Sequence, residues 1–155
     1  GDSSGGNLAL ATVEYMVANN ETVPASMVLV SPWLDVTMTN PNIPLVHDPL
    51  VNSPLISGLI GGNEPNVGSQ WAGNLPENDY LVSPLYGSLK GLPPTYVYAG
   101  SLDTLTPDAI VLQQEAVAQG ASVSFVFANG ECHDWVYLTP DGFGLLPQIY
   151  QELGL

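Results

Sequence analysis

Residues 1–6 read Gly-Asp-Ser-Ser-Gly-Gly, so a serine stands between glycines two positions away on either side. This spacing is typical of a nucleophile elbow, a sharp strand-to-helix turn whose strained backbone pushes the serine hydroxyl outwards. The small flanking residues let the chain pass close by, and the helix that follows points its amide end at the same spot. The pattern predicts that Ser3 is a nucleophile for acyl-transfer chemistry.

A serine nucleophile needs a base to take its proton, and the sequence offers two histidines. His47 lies in an irregular region, where an ordinary loop histidine is the expectation. His133 follows the last predicted strand, where a loop reaches the carboxyl end of the sheet. Because an elbow serine is followed along the chain by its acid and then by its histidine, we predict that His133 is the base.

The acid that orients the histidine should follow the preceding strand. Asp103 comes just past a predicted strand end and has no basic neighbour in sequence to pair with. Asp108 is already explained as a first-turn acid that faces the amide end of a helix. Asp35 and Asp134 are weaker rivals, and Asp134 is disfavoured because a residue adjacent to the histidine rarely reaches the correct ring nitrogen. Asp103 is therefore the predicted acid of a Ser-His-Asp triad.

A second class of enzymes carries nearly the same letters around its serine. Chymotrypsin-like proteases have a Gly-Asp-Ser-Gly-Gly stretch, but in those proteins the histidine and the aspartate precede the serine. Here both candidate partners come later, and residues 7–18 are predicted to form a helix rather than a β-barrel loop. The order of the residues therefore disfavours the protease interpretation.

Apolar periodicity predicts an α/β protein in which helices and strands alternate. The short β-branched run at 27–30 is typical of an interior parallel strand, whereas the alternating run at 122–128 suits a strand near the sheet edge. Thr106 as N-cap, with Pro107 and Asp108 behind it, indicates a helix start. The predicted helices cover 7–18, 106–119 and 146–153, and the predicted strands cover 27–30, 95–99 and 122–128.

Residues 37–92 are rich in proline, asparagine and glycine and show little regularity. Only short helical pieces, such as one at 54–60, are predicted there. A stretch so long with so little regular structure is unusual inside a compact domain and usually marks a functional insertion. We therefore expect this irregular region to be lid-like and to contribute apolar residues to a substrate pocket.

The charge of the chain restricts its partners. Lys90 is the only basic side chain against 15 acidic ones, which gives a formal net charge of −14. Such a surface repels nucleic acid and anionic lipid, so we predict neither as a partner. The acidic residues are scattered, without a metal-type cluster on one helix face. The sequence contains no run of about 18 apolar residues, so no membrane-spanning helix is predicted. With 155 residues, about one domain is expected.

Four stretches together match a known family. They are the elbow at 1–6, Ser-Pro-Trp-Leu-Asp at 31–35, Leu-Pro-Pro at 92–94 before a strand, and Gly-Ser-Leu-Asp at 100–103 with Asp108 following. In these stretches the chain resembles the C-terminal part of the hormone-sensitive-lipase branch of α/β-hydrolases, which includes many esterases. His-Asp-Trp at 133–135 stands where that family usually shows His-Gly-Phe. The similarity covers essentially all 155 residues.

The resemblance implies a partial α/β-hydrolase fold and a serine esterase or lipase that needs neither a metal nor an organic cofactor. In that family the amide after the nucleophile, here that of Ser4, shares the oxyanion with amides of an upstream His-Gly-Gly-Gly stretch. This sequence contains no such stretch and no strand before the elbow. We therefore expect residues 1–155 to be the C-terminal part of one domain, and inactive when expressed alone.

The substrate that the resemblance implies is a small-molecule or lipid ester, and an uncharged ester suits so acidic a surface better than an anion. Asp2, Trp33, Leu34 and Trp135 are the predicted pocket residues, beside those of the irregular region. A competing hypothesis is a non-catalytic module that binds a small molecule in the same fold, and loss of the histidine would be its sign. The sequence leaves the compartment and the oligomeric state open.

Overall fold

A computed structural model describes residues 1–51 and 67–155 of the chain. Three parallel strands form its sheet, namely β1 (Met27–Val30), β2 (Thr95–Gly100) and β3 (Val123–Ala128). Their order across the sheet is β1-β2-β3. The three predicted strands are confirmed, and the alternating strand lies at an edge of the described sheet. The short helix predicted at 54–60 lies outside the described residues.

Five α-helices and two short 3₁₀ turns accompany the sheet in the described part of the chain. The helices are α1 (Ser3–Ala18), α2 (Val67–Ala72), α3 (Thr106–Gln119), α4 (Trp135–Leu138) and α5 (Pro140–Glu152), and the 3₁₀ turns are Ile43–Leu45 and Pro84–Tyr86. Within residues 1–51 and 67–155, no helix is both long enough and apolar enough to span a bilayer.

Two helices begin earlier than predicted. α1 starts at Ser3 because the elbow runs directly into the helix without an intervening loop. α5 starts at Pro140, and the hydroxyl of Thr139 caps it by accepting a hydrogen bond from the amide of Gly142 at 3.2 Å. The glycines and the proline inside α5 obscured its apolar period, so that only its cap residues could have predicted the true start.

The cap of α3 differs from the prediction. Leu105 precedes the helix, and the hydroxyl of Thr106 donates to the carbonyl of Gly100 at 2.6 Å instead of capping the helix. At the other end Gly120 stops the helix in a left-handed conformation, with a φ of 64°. The bond from Thr106 fastens the start of α3 to the end of β2, and the loop that carries Asp103 lies between them.

Helices cover both faces of the sheet. Leu29 and Val97 point to the face on which α1 and α3 pack, whereas Val28, Val30 and Tyr98 point to the face covered by α4 and α5. This double burial explains why β1 is apolar at every position, as expected for an interior parallel strand.

Buried polar groups hold the irregular region against the helices and the sheet. The Nδ2 of Asn7 in α1 donates to the carbonyls of Trp33 at 2.7 Å and Val82 at 2.8 Å. The hydroxyl of Ser83 accepts a hydrogen bond from the amide of Val36 at 3.0 Å. Side chains thus satisfy backbone groups that no helix or strand satisfies.

A carboxyl group is buried on the inner side of α1. Glu14 is 3% exposed, and neither carboxyl oxygen has a hydrogen-bond partner among the described residues. The backbone of Gly87 lies so close that a Cβ at that position would collide with the carboxyl group. Burial raises the pKa of Glu14 to about 9. The side chain is therefore uncharged in the folded protein at neutral pH.

We expect Glu14 to make stability fall as the pH rises. Its folded pKa of about 9 exceeds the ordinary 4.5, so the folded state binds more protons between these values. The free energy of unfolding then decreases by at most about 1.4 kcal/mol per pH unit across that window. Glu14→Gln should flatten the dependence, as measured by urea unfolding between about pH 5 and pH 8.

Glu21→Gln is the matched control, because Glu21 is exposed, and it should leave the pH dependence of unfolding unchanged. If Glu14→Gln and the parent protein lose stability equally with rising pH, the buried carboxyl group is not the cause.

Candidate active site

The backbone at Ser3 has a φ of 50°, a left-handed conformation that is costly for a residue with a side chain. Neighbouring bonds hold it there. The carbonyl of Ser3 accepts from the amide of Trp33 at 2.9 Å, and the carbonyl of Gly1 accepts from the amide of Val30 at 3.0 Å. A Cβ at Gly1 would collide with the backbone of Gly5. The turn therefore requires glycine and presents Ser3 beside the end of β1.

The amide end of α1 opens immediately beside this serine. The amide of Gly6 donates to the carbonyl of Asp2 at 3.0 Å and closes the first helical turn. Amides nearer the helix start, including that of Ser4, have no acceptor within the helix. The side chain of Asp2 is exposed and makes no capping bond. The Ser4 amide can thus serve an external acceptor, and its role as an oxyanion donor stays a prediction.

One helix start and two loops bring the predicted site residues together at the carboxyl end of the sheet. Ser3 lies at the start of α1, Asp103 follows β2, and His133 follows β3. The Nε2 of His133 lies 3.0 Å from the Oγ of Ser3, and its Nδ1 lies 3.1 Å from the Oδ1 of Asp103. One imidazole therefore links a hydroxyl to a carboxylate, the geometry that allows a serine to lose its proton during attack.

The imidazole is buried among negative charges. Asp103 is 0% exposed and His133 is 7% exposed, and the amide of Leu105 holds the Oδ1 of Asp103 at 2.9 Å. Burial disfavours the charged ring, but the hydrogen bond and charge of Asp103, followed by the charges of Asp134 and Asp48, outweigh it. The net effect raises the pKa of His133 above its ordinary 6.5. The site therefore favours the imidazolium that forms when a base takes a proton.

Asp134 contacts the imidazole on the side of the serine. Its Oδ2 lies 3.4 Å from the Nε2 of His133, the nitrogen that faces the Ser3 hydroxyl. Its backbone is left-handed, with a φ of 55°, and its amide donates to the hydroxyl of Ser31 at 3.0 Å. Burial raises the pKa of Asp134 to about 6, against the opposing charge of His133. Asp134 is thus placed to influence the ring but not to orient it through Nδ1.

The remaining candidates have other partners. Asp108 lies in the first turn of α3 as predicted, but it is buried and accepts from the Nδ2 of Asn40 at 2.8 Å. Its burial raises its pKa to about 6. Asp35 accepts from the hydroxyl of Tyr86 at 2.8 Å, and His47 is exposed. In the part of the chain that the structure describes, none of these three candidates hydrogen-bonds to the serine or the imidazole.

Sequence reasoning missed one carboxylate at this site. Asp48 is 0% exposed, and its Oδ2 accepts from the amide of Thr104 at 3.1 Å. A carboxylate oxygen of Asp48, another of Asp103 and a ring nitrogen of His133 lie within 4.8 Å of one another. Such donors could hold a metal ion, but both ring nitrogens already face Ser3 and Asp103, so hydrogen bonds account for the arrangement. The only feature of the sequence that could have drawn attention to Asp48 is the proline that follows it in the irregular region.

Two of the four predicted pocket residues have to be reassigned. Leu34 is 0% exposed in the core beside α1, and Trp135 is 2% exposed on the other face of the sheet. Their side chains fill the core, so they do not line a pocket. Trp33 is half-buried with its ring 6.0 Å from that of Trp71, and Asp2 is exposed.

The irregular region borders a groove of about 1010 Å³ that lies against α3. Its lining includes apolar and acidic side chains, among them Asp35, Leu45, Tyr86, Asp108, Ile110 and Phe127. Ser3, Asp103 and His133 are not among the lining residues. The groove therefore does not coincide with the site around the imidazole.

Residues 1–137 match a family model described as the alpha/beta hydrolase fold. The chain belongs to this family. A triacylglycerol lipase from Mycobacterium tuberculosis is 51% identical over 155 residues, which is 100% of this chain and 30% of that protein. An esterase from Acinetobacter venetianus is 33% identical over 132 residues, which is 84% of this chain and 41% of that protein.

Solved structures agree with these relatives. A crystal structure of an esterase from the bacterial hormone-sensitive lipase family matches with a TM-score of 0.74 at 30% identity, covering 99% of this chain and 50% of that one. The α/β-hydrolase fold and the resemblance to the hormone-sensitive-lipase branch, both predicted from the sequence, are confirmed. The chain spans half or less of the length of these relatives.

Gly5 and Gly6 offer a matched pair of substitutions in the elbow. A Cβ at Gly6 would lie 2.9 Å from the Cβ of Pro32, so Gly6→Ala should push α1 off the loop after β1. We expect it to lower the free energy of unfolding by about 1–3 kcal/mol. A Cβ at Gly5 would meet only the Oδ1 of Asp2 at 4.0 Å, so Gly5→Ala should be neutral or stabilise by up to about 1 kcal/mol through helix propensity.

Urea unfolding of both variants measures the difference. Equal effects of the two substitutions would show that the contact of Gly6 with Pro32 does not limit the packing of the elbow.

Proposed function

We propose that this chain carries the nucleophile, base and acid of a serine hydrolase that cleaves carboxylic esters. The observation behind the proposal is the pair of contacts to one imidazole, 3.0 Å from Nε2 to the Ser3 hydroxyl and 3.1 Å from Nδ1 to the Asp103 carboxylate. Membership of the α/β-hydrolase family, and relatives named lipase and esterase, support carboxylic esters as the substrate class.

The first half-reaction forms an acyl-enzyme. His133 keeps its proton on Nδ1 and donates it in a hydrogen bond to the Asp103 carboxylate, which leaves the lone pair of the neutral ring on Nε2. As the Oγ of Ser3 bonds to the ester carbonyl carbon, its proton moves to Nε2 and the carbonyl oxygen becomes an oxyanion. The amide of Ser4 donates a hydrogen bond to this oxyanion. The carbon–oxygen bond to the alcohol then breaks, and the leaving oxygen takes the proton from Nε2.

The second half-reaction releases the acid. A water molecule gives one proton to the Nε2 of His133 while its oxygen bonds to the acyl carbon. The new tetrahedral intermediate collapses, and the Oγ of Ser3 leaves and recovers the proton. One ester and one water have become a carboxylic acid and an alcohol, and the imidazole is neutral again. These steps balance without a metal or an organic cofactor.

Charge supports an uncharged ester as the substrate. The chain has a formal net charge of −14, and the carboxylates of Asp48, Asp103 and Asp134 act on the imidazole. This field would repel an anion from the serine. We therefore propose a small-molecule or lipid ester that carries no negative charge near its carbonyl group. The contact between His133 and Ser3 gives no support to the competing hypothesis of a non-catalytic binding module.

The proposal is tested in the longer protein of which residues 1–155 are expected to be the C-terminal part, because these residues alone are expected to be inactive. The measurements are hydrolysis of p-nitrophenyl acetate and butyrate, and covalent labelling by phenylmethylsulfonyl fluoride. We expect one adduct, located on Ser3 by peptide mass spectrometry, and loss of both hydrolysis and adduct in Ser3→Ala. Ser4→Ala is the control, because the backbone amide rather than the hydroxyl is assigned a role at that position. Hydrolysis that survives Ser3→Ala would overturn the proposal.

Substitution of two acids separates the orienting residue from a structural one. Asp103→Asn should preserve the fold and lower kcat by roughly 10⁴, since the ring loses the acceptor for its Nδ1 proton. Asp108→Asn should change kcat by only a few-fold, because the partner of Asp108 is Asn40. Ester hydrolysis and melting temperature of both variants decide the matter, and the reverse pattern would mean that the acid is misassigned.

The pH dependence of kcat/KM should report His133. The neutral ring is the active base, so kcat/KM rises with pH as the imidazolium loses its proton. Because the surrounding carboxylates raise the pKa of His133 above 6.5, the inflection should lie above that value. An uncharged ester that does not titrate is the substrate to use, and an inflection clearly below 6.5 would contradict the electrostatic argument.

A further inference from the structure

Asp48 is a buried carboxylate of the irregular region that touches the loop of the proposed triad acid. Its Oδ1 accepts from the amides of Leu50 at 2.8 Å and Val51 at 3.1 Å. Its Oδ2 accepts from the amide of Thr104 at 3.1 Å, across 56 positions of sequence. Thr104 directly follows Asp103, so the bond fixes the peptide that begins at the proposed acid.

Only a carboxylate suits this position. Both oxygens of Asp48 accept hydrogen bonds from backbone amides, and an ionised carboxylate is an acceptor at both oxygens. Asparagine would place its NH₂ group against at least one of these amide donors. Hydrogen bonds to a charged acceptor are also stronger than neutral ones. The site therefore calls for an acceptor at both oxygens of this side chain.

We propose that Asp48 is a positioning residue of the active site, which fixes the loop of Asp103 and places a further negative charge beside His133. A ring nitrogen of His133 and carboxylate oxygens of Asp48 and Asp103 lie within 4.8 Å of one another. Asp48 makes this link from the irregular region, whereas Asp103 follows a strand of the sheet. The effect of Asp48 on ester hydrolysis rests on the proposed function, whereas the contacts of Asp48 with the loop of Asp103 do not depend on it.

Three carboxylates act on the imidazole from different elements. Asp103 faces it from the loop after β2, Asp134 from its own loop, and Asp48 from the irregular region, while the hydroxyl of Ser3 faces it from α1. Each of the three charges favours the protonated ring. Removing the charge of Asp48 should therefore lower the pKa of His133, a result that general destabilisation of the fold would not produce.

The test combines an NMR titration with kinetics. The chain has two histidines, so ¹⁵N-histidine spectra of a His47→Gln background follow the ring of His133 alone. Asp48→Asn should lower its pKa, because one of the charges that favour the protonated ring is removed. In the longer protein expected to be active, it should lower kcat for p-nitrophenyl butyrate about 10- to 100-fold with KM nearly unchanged. The inflection of kcat/KM should shift to lower pH together with the pKa.

Asp79→Asn is the matched control. Asp79 forms a similar local turn, in which its Oδ1 accepts from the amide of Leu81 at 2.9 Å, but it is not among the charges that act on His133. This variant should leave the pKa of His133 and kcat unchanged.

The outcomes separate this inference from the proposed function. An unchanged pKa of His133 in folded Asp48→Asn overturns the inference. A lowered pKa, together with no ester hydrolysis by the longer protein that contains these residues, supports the inference and overturns the proposed function. Should Asp48→Asn fail to fold, hydrogen exchange of the unsubstituted protein decides. The Thr104 amide should then exchange several orders of magnitude more slowly than a free loop amide, and exchange at the free rate overturns the inference.

Discussion

Parallel pairing of the strands is the constraint on which the site depends. Because β1, β2 and β3 run in the same direction, each loop that leaves a strand begins at the carboxyl end of the sheet. The bridge of Asp2 to β1 brings the elbow to the same end. The register that pairs Gly100 with Ala128 starts the loops of Asp103 and His133 side by side. Distance along the chain therefore matters little, and a single imidazole can reach both partners.

The excess of acidic groups has opposing effects on the proposed chemistry. Asp103, Asp134 and Asp48 raise the pKa of His133, which makes the ring a stronger base and stabilises the imidazolium formed during attack. The same charges keep the ring protonated at lower pH, where it cannot accept the serine proton. The chain has a single basic side chain, Lys90, against 15 acidic ones. Burial of the ring is the opposing influence, since it disfavours the charged form.

Local sequence signals were sufficient to predict a site residue where the end of a helix or strand determines its position. Ser3, Asp103 and His133 were predicted to lie together because each adjoins a turn or a strand end, and the structure brings them within hydrogen-bond distance. Asp48 could not be predicted in this way, because its burial depends on a loop 56 positions away. Trp135 was misplaced for a related reason. Large apolar side chains suit a pocket or a core equally, and only tertiary packing decides between them.

The irregular region owes its conformation to side chains that bind backbone groups, rather than to its own helices or strands. Asn7 of α1 donates to its Val82 carbonyl, its Ser83 hydroxyl accepts from the amide of Val36, and its Asp48 carboxylate accepts from the amide of Thr104 in the loop after β2. Each of these groups is buried, so breaking one bond leaves an unpaired polar atom that costs about 1–3 kcal/mol. In the positioning role proposed for Asp48, a change in the irregular region would reach the imidazole through the Thr104 amide.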